Sequence, residues 1–403
     1  MATLGAMDTG HRIAALRRER GWSQAELATA LAAVSGRETI TREEVSRWER
    51  GRRAPTPYWL SHLAAVLSVP PSALRPADRE TSPESTADGL AEALDWLVSE
   101  PPQVTARRAG RRVGQAQATE VQARVARLRH LDDTLPGHEL APIAAVEFQA
   151  TAALVRQASY SSVTGRSLLT SLGEAGQILG WIEADLGRHE AAQAHYLEGF
   201  SAARDAGDTA GAANILSCLA YLWTGAGSQR DGRLLAAAAV RKAARRVPPL
   251  AAALLHERLA YASAHAGDAQ ATARALGPVA DLIEAGSAAR QDEPEWTYWL
   301  DHDEADVLAA RCATRLGQAA TAVPLIRAAL GRYSTEHVRE LALYWSFLAE
   351  AHLRAGQRAD AADALATAEH YAEGTASARV ARRITTIRHA ASAPAGKAEP
   401  PED

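Results

Sequence analysis

Apolar residues recur every three or four positions along most of this chain, a spacing that lines one face of an α-helix. Near the N-terminus, Ile13 and Leu16 predict the buried face of a first helix over residues 9–20, which ends at Gly21. A fourth helix, with Pro57 in its first turn, has a buried stripe at Leu60, Leu63 and Leu67. Alanine, leucine and arginine dominate while β-branched and aromatic residues are sparse, so the sequence predicts an all-α fold.

Between these helices lie two short ones that each open with a capping box. Ser23 and Glu26 form the first box, and Thr41 and Glu44 form the second. Gly51 predicts a left-handed stop after the second of the two helices.

That second helix turns a charged face outward. Val45 and Trp48 lie three residues apart and face inward together. The outward positions hold Arg42, Glu43, Arg47 and Arg50. A short helix that offers guanidinium groups from one face suits the DNA major groove, where arginine pairs bidentately with guanine. The alternative interpretation is an ordinary helical bundle with solvated surface arginines.

The pattern resembles the Cro/repressor-type (XRE) helix-turn-helix family over residues 9–75. The family's residues are present as Gln24, Leu27, Val45, Ser46, Trp48, Glu49 and Gly51. A fifth helix that starts at residues 71–74 completes the five-helix, lambda-repressor-like module. The chain departs from the family in a longer turn, at residues 34–40, between the two short helices.

The resemblance implies a role for each polar residue of the motif. Gln24 would contact phosphate, the side chains facing base edges would be Arg42, Glu43 and Arg47, and those gripping the DNA backbone would be Arg50, Arg52 and Arg53. Phosphate contacts give affinity and register, whereas base contacts give specificity.

Charge is divided unevenly between this head and the rest of the chain. Residues 1–75 hold 11 arginines against 7 acidic residues, a net charge of +4, while the remainder carries −8. A basic head on an acidic body is typical of a DNA-binding domain attached to a larger protein.

The sequence after residue 75 predicts a helical repeat. Residues 76–87 predict a polar linker, and residues 88–133 predict two connecting helices, over 88–99 and 111–133. From 134 to 388, turn glycines recur at Gly187, Gly227, Gly267, Gly317 and Gly356, with spacings of 40, 40, 50 and 39 residues. Small residues at the helix crossings are Gly180, Ala220, Ala260, Ala310 and Ala349. This pattern predicts a tetratricopeptide-like (TPR-like) α-solenoid with helices longer than consensus, followed by a disordered tail at 389–403.

The repeat also predicts a concave face. The position after each crossing residue holds Trp181, Tyr221, Tyr261, Arg311 and Glu350. Other groove positions hold Gln177, Asn214, Ser217, Glu257, Glu304 and Ser346. An aromatic row edged with amides and carboxylates suits an extended peptide or an amphipathic small molecule. The alternative is that these aromatic side chains only fill the seam between neighbouring helices.

A second aromatic cluster, residues 295–303, coincides with the 50-residue spacing. It is interpreted as a pocket wall, a dimer interface or simply a packed helix start. His302 beside Asp303 does not predict a metal site, because no third ligand lies at useful spacing.

Several classes of function have no motif in this sequence. It contains no phosphate-binding loop of the Gly-x4-Gly-Lys type, no zinc-protease helix and no Gly-x-Ser-x-Gly elbow. Nothing indicates an enzyme, a cofactor or a membrane-spanning segment. Cys218 and Cys312 cannot form a disulfide framework and fit a reducing cytoplasm.

A further resemblance covers residues 124–370. Segments 127–133, 180–181, 185–192 and 206–208 are similar to regulators of filamentous, GC-rich bacteria that join an XRE head to a tetratricopeptide body. Several of those regulators influence sporulation or secondary metabolism. The architecture also resembles peptide-sensing regulators, which clamp the peptide backbone with several groove asparagines, whereas Asn214 is the single asparagine here.

The sequence therefore predicts a cytoplasmic, homodimeric, sequence-specific transcription regulator that binds a palindromic double-stranded DNA operator. Its body is expected to dimerise and to sense a peptide, a small molecule or a protein partner. The alternative function is a tetratricopeptide docking scaffold with an accessory DNA-binding head.

Overall fold

The fold of the chain comes from a computed structural model. It describes residues 2–35, 40–53, 55, 59, 62–63, 66–67, 83–98, 106–107, 110–334, 337–373, 375 and 377–392. The chain divides into two compact units, Met1–Arg79 and Glu80–Asp403, called here the head and the body. Both are built from α-helices, and the described residues include no β-strand, so the predicted all-α class is confirmed.

Three helices of the head are described: α1 (Ala2–Glu19), α2 (Gln24–Ser35) and α3 (Arg42–Glu49). The first begins seven residues before the predicted start, because the apolar periodicity marks only the part of a helix that packs. Most of the predicted fourth and fifth helices, and residues 36–39 of the predicted long turn, lie outside the described residues.

A small apolar core joins the helices of the head. Ile13 of α1 and Leu27 of α2 pack with Val45 and Trp48 of α3, and all four are almost completely buried. Leu63 and Leu67 belong to the same core, as their predicted position on the buried stripe requires.

The body begins with α4 (Pro83–Val98), α5 (Gln115–Asp132) and α6 (Gly137–Gln157). Residues 83–87 were predicted to be linker, but they form the first turns of α4. Proline is favoured in the first turn of a helix, so Pro83 starts the helix rather than extending the linker. The predicted disordered tail likewise starts too early, because residues 389–392 belong to the last helix and only 393–403 lie outside the described residues.

In the part of the body that the structure describes, the remaining helices form five antiparallel pairs, the third of which has a divided second helix, and one further helix at the end. They are α7 (Ser162–Asp185), α8 (His189–Ala206), α9 (Thr209–Gly225), α10 (Gln229–Ala243), α11 (Pro249–His265), α12 (Ala269–Leu276), α13 (Val279–Ala288), α14 (His302–Arg315), α15 (Ala319–Arg332), α16 (Val338–Arg354), α17 (Arg358–Ala372) and α18 (Ala378–Ser392). No described helix has the length and hydropathy of a membrane-spanning segment.

All five predicted turn glycines separate the two helices of a pair. Each adopts a left-handed backbone, with φ between 73° at Gly267 and 89° at Gly227. A residue with a Cβ is strained at such a φ, so glycine is required where the first helix of each pair turns into the second. The predicted helical solenoid is confirmed, whereas its assignment to the tetratricopeptide type stays a prediction.

The 50-residue spacing between the turn glycines Gly267 and Gly317 results from the structure of the third helix pair. Its second helix breaks at Gly277 and Pro278 into the short helices α12 and α13, and two 3₁₀ turns, Arg290–Asp292 and Glu295–Thr297, follow. Proline cannot continue the hydrogen-bond ladder of α12, so the chain needs extra residues to reach the next pair.

Small residues allow the paired helices to approach closely at the predicted crossing sites. A Cβ added to Gly180 would lie 2.6 Å from the ring of Tyr196, and one added to Gly176 would lie 2.8 Å from the Cα of Gly199. Tyr196 is itself completely buried, so it cannot move aside.

We expect Gly180→Ala to lower the free energy of unfolding by roughly 1–3 kcal/mol, because the added methyl group overpacks the α7–α8 crossing. Gly331→Ala is the matched control, since a Cβ there meets no atom within 4 Å. The control should be neutral or slightly stabilising through helix propensity. Urea unfolding measures both variants, and equal stability of the two would contradict close packing at Gly180.

Candidate DNA-binding surface and ligand cavity

The ends of α3 are fixed by local hydrogen bonds. The Thr41 hydroxyl accepts from the backbone N–H of Glu44, 3.4 Å away. At the other end, the Arg52 N–H donates to the Arg47 carbonyl and the Gly51 N–H to the Trp48 carbonyl, a Schellman motif with Gly51 at φ 64°. The helix is therefore held at eight residues, and its start and stop are as predicted.

Only one of the two predicted capping boxes is reciprocal. Ser23 and Glu26 exchange both hydrogen bonds, at 2.6 and 3.2 Å. The Glu44 carboxylate instead accepts from Arg47 at 3.1 Å and pairs with Arg53 at 2.9 Å. Two arginines within reach compete with the Thr41 backbone for that carboxylate, because charged donors form the stronger hydrogen bonds.

A buried ion pair orients α3 against the first two helices. The Arg17 guanidinium donates two hydrogen bonds to the carboxylate of Glu49, at 2.6 and 3.0 Å. Gln24, at the start of α2, donates to the same carboxylate at 2.7 Å. Because the Glu49 carboxylate is buried and accepts from both Arg17 and Gln24, these contacts favour a single arrangement of the three helices. Gln24, predicted to contact phosphate, is half-buried and already holds this structural contact.

The other predicted DNA contacts share one exposed surface of α3 and the turn after it. These residues are Arg42, Glu43, Arg47, Arg50, Arg52 and Arg53. Arg50 is tied back to Ser46, donating to its carbonyl at 3.0 Å and to its hydroxyl at 2.7 Å. Arg47 and Arg53 share only the Glu44 carboxylate, and their side chains remain 57 % and 62 % exposed. Their guanidinium groups are therefore available to a polyanion.

The body contains a cavity of about 560 Å³ that is open to solvent, and its volume is within the range of small-molecule sites. Its walls come from α5, from the first helices of the pairs, α7, α9, α11, α14 and α16, and from α18. The aromatic cluster 295–303 contributes Trp296, Tyr298 and Trp299, so this segment is a wall of the cavity as well as a helix start.

Seven of the eleven predicted groove residues line the cavity: Gln177, Trp181, Asn214, Tyr221, Glu257, Glu304 and Arg311. Ser346 does not, since it is buried and donates to the Leu343 carbonyl. The other three do not line it either. Ser217 is completely buried and donates to the Asn214 carbonyl at 2.8 Å. Tyr261 lies beneath Tyr221 with ring centroids 4.6 Å apart, so it fills the helix seam.

Glu350 is the fourth correction. Its carboxylate accepts from Arg354 at 2.9 Å and from Arg383 at 2.6 Å, and the side chain lies outside the cavity. Glu350 lies on the first helix of its pair, as predicted, but α18 covers its side chain.

The last helix joins the two ends of the repeat array. The Ser377 hydroxyl, just before α18, donates to the Asp185 carboxylate at 3.0 Å, across 192 residues. The guanidinium of Arg379 donates to the Tyr221 hydroxyl at 2.7 Å. Farther along, Arg383 contacts Glu350 of the final pair. Through these contacts α18 adds a further wall to the groove.

Acidic groups gather on one side of the cavity. Glu257 is 4 % exposed, and its Oε1 has no hydrogen-bond partner among the described residues. Burial raises the pKa of Glu257 to about 8, against a lowering by Arg258, and Glu304 and Asp301 raise it further. Burial also raises the pKa of Glu304, although the hydroxyls of Tyr333 and Tyr344 donate to its carboxylate. The cavity thus holds carboxyl groups that are protonated more readily than usual.

Basic groups gather around Tyr221. Arg258 lies 4.6 Å from the ring centroid, and Arg311 and Arg379 each lie 5.7 Å from it. Arg311 occupies a predicted groove position, whereas Arg258 and Arg379 were not predicted. Arg258 directly follows Glu257, so it does not occupy a groove position of the repeat. Arg379 lies beyond the last turn glycine, Gly356, outside the repeat pattern.

The comparisons with known proteins identify the head. Residues 13–74 match a protein-family model described as a helix-turn-helix, so the N-terminal unit contains a DNA-binding helix-turn-helix of the XRE type. No curated protein gives a significant match to the sequence.

Among solved structures, the chain is similar to Bacillus thuringiensis PlcR in the crystal structure of its complex with the peptide PapR7 and DNA. The identity is 12 %, and the match covers 96 % of this chain and 100 % of the PlcR chain. The TM-score is 0.27, so the similarity carries no inference about fold or ligand.

We expect Glu257→Gln to stabilise the protein in alkaline but not in acidic solution. The folded-state pKa lies above the ordinary value of 4.5, so between pH 4.5 and about 8 the unfolded chain ionises first. This carboxyl therefore lowers the free energy of unfolding as the pH rises through that window. Removing it should gain roughly 2–4 kcal/mol above about pH 8 and little below about pH 4.5.

The measurement is thermal unfolding of the two proteins across that pH range. Glu284→Gln, at an exposed position of α13, is the matched control and should show no pH-dependent gain. A constant difference between Glu257→Gln and the natural protein at all pH values would contradict a perturbed carboxyl.

Proposed function

We propose that this helix-turn-helix transcriptional regulator binds its operator as a homodimer and that its TPR-like body senses a small molecule or short peptide. The observation that carries the DNA-binding part is the exposed arginine surface of α3. The helix that carries this surface is fixed in place by a cap, a Schellman motif and the Arg17–Glu49 pair. A preorganised helix loses less entropy on binding, which favours a specific site over loose attraction to any polyanion.

Within that surface the proposed roles differ by position. Arg42, Glu43 and Arg47 on the helix face base edges, and Arg50, Arg52 and Arg53 at its end contact phosphates. Glu44 links the two groups through its contacts with Arg47 and Arg53. Those ion pairs are largely solvent-exposed and hold the arginines only weakly, so DNA can replace the carboxylate.

The cavity favours ligand sensing over protein docking. A docking scaffold needs an open groove, whereas here α18 joins the first and last repeat pairs. A volume of about 560 Å³ suits a ligand of limited size and not a folded partner. The docking scaffold remains the second candidate, supported by the TPR-like repeat itself.

Dimerisation is assigned to the body. Exposed apolar side chains on α6 offer a surface for it, since Ile143 and Val146 lie three residues apart and are 50 % and 71 % exposed. Dimerisation about a two-fold axis predicts a palindromic operator with half-sites one or more helical turns apart.

Selection from a random DNA library by the full-length protein, at stated salt, tests the function. A recovered palindrome is the expected outcome, and Arg47→Ala should then relax one base position at a cost of roughly 1–3 kcal/mol. Arg52→Ala is the comparison variant, because loss of a phosphate contact should weaken all sequences equally and lower the salt slope by about 1. Unchanged operator affinity and specificity in Arg47→Ala would contradict the proposed role of α3.

Truncation after Arg79 should leave a folded head that binds a single half-site weakly. The boundary between the two compact units lies at this residue, so the cut leaves the core of the head intact. Affinity falls because the second half-site is no longer held at high effective concentration. Circular dichroism checks folding and a binding titration checks affinity. A truncated head that binds as tightly as the full chain would show that the body does not supply the dimer.

A further inference from the structure

Three guanidinium groups from three different helices converge on Tyr221. Arg258 of α11 lies over its ring, and Arg311 of α14 donates to its hydroxyl at 2.9 Å. Arg379 of α18 donates to the same hydroxyl at 2.7 Å. Aromatic rings attract cations through their quadrupole but carry no net charge, so Tyr221 gathers these groups without neutralising them.

Two of these three guanidinium groups, those of Arg258 and Arg379, form no ion pair with a carboxylate of the described residues. Arg258 is 8 % exposed, and its buried Nε has no hydrogen-bond partner. The adjacent carboxyl does not supply the missing charge, since burial raises the pKa of Glu257 to about 8 and keeps it largely protonated at neutral pH. A buried, unpaired cation lowers stability unless something else pairs with it.

Guanidinium groups recognise planar and tetrahedral oxyanions through paired N–H donors. The three arginines line the cavity together with neutral polar side chains, Gln177 and Asn214 among them. Trp181 adds an apolar wall, with Arg258 and Arg379 each 5.8 Å from its ring centroid. A ligand anchored here by an anionic group would therefore place its body against an aromatic surface.

We propose that Arg258, Arg311 and Arg379 form an anion subsite that holds a carboxylate or phosphate group of the effector. The inference deepens the ligand-sensing part of the proposed function and depends on it. It also assigns a role to α18, because one of the three cations comes from that helix. An anion bound between α11, α14 and α18 stabilises the closed arrangement over any state in which α18 has moved away.

The test uses the full-length protein without DNA, with inorganic phosphate, acetate and benzoate as probes. Each is titrated at constant ionic strength against sodium chloride, with calorimetry and thermal unfolding as the two measurements. Constant ionic strength removes general screening, so a saturable rise in melting temperature reports a site. Saturation by phosphate alone assigns a phosphorylated effector, and saturation by the carboxylates alone assigns a carboxylate ligand. Benzoate should bind more tightly than acetate if Trp181 contributes.

Arg258→Gln and Arg379→Gln should each weaken binding of the active probe by roughly tenfold to a hundredfold, the value of a charge-assisted hydrogen bond. Arg241→Gln, at an exposed position of α10, is the matched control and should bind like the natural protein. In chloride buffer Arg258→Gln should melt no lower than the natural protein, because it removes an uncompensated charge. A purely structural arginine would instead lower the melting temperature.

Two results would overturn the subsite. One is the absence of saturable binding for all three probes, and the other is equal binding by Arg258→Gln, Arg379→Gln and Arg241→Gln. Neither result bears on operator selection, which reports the DNA sequence bound and not the occupancy of the cavity. A protein that selects a palindrome but binds no anion would retain the proposed regulator function and lose only this subsite.

Discussion

The contact between the last helix and the first repeat pair is the interaction on which the cavity of the body depends. In repeat proteins each unit usually touches only its neighbours, so the concave side stays open. Here Ser377 reaches Asp185 and Arg379 reaches Tyr221, which joins residues more than 150 positions apart. The entropy lost on joining the two ends of a chain segment grows only slowly with its length. Here the stacked helices have already ordered most of the segment between the joined residues. A few polar contacts are therefore enough to add a wall to the groove.

The head depends on a constraint of the same kind. The pair between Arg17 and Glu49 joins α1 to α3, and Gln24 adds α2 to the same carboxylate. Removing one partner would leave the other buried and unpaired, so the three helices are held in one arrangement. In both units, long-range polar contacts at the ends of helices set the geometry of the functional surface, whereas apolar packing provides most of the stability.

The sequence predicted what is encoded locally. Turn glycines and small crossing residues follow from the spacing of one helix pair, and Gly227 and Gly180 occupy the positions that this spacing requires. The cavity could not be predicted in the same way, because it depends on how small rotations accumulate over five pairs and bring α18 onto the first. That is why Glu350 was placed in the groove although Arg383 covers it. Roles assigned to the arginines of α3 stay predictions, since exposure alone does not identify a DNA contact.

The cavity keeps polar groups that a purely structural interior would exclude. Glu257 is buried without a partner for Oε1, and Arg258 beside it is buried without a partner for Nε. Such groups cost stability, and a large helical body can tolerate that cost where a ligand supplies the missing partners. The covalent path from this site to the head runs through α4, whose Trp96 packs edge-on against Phe200 at 5.6 Å and whose Leu97 carbonyl accepts from Lys242. These contacts anchor α4 on the first two repeat pairs, the same pairs that Ser377 and Arg379 contact from the other end of the body.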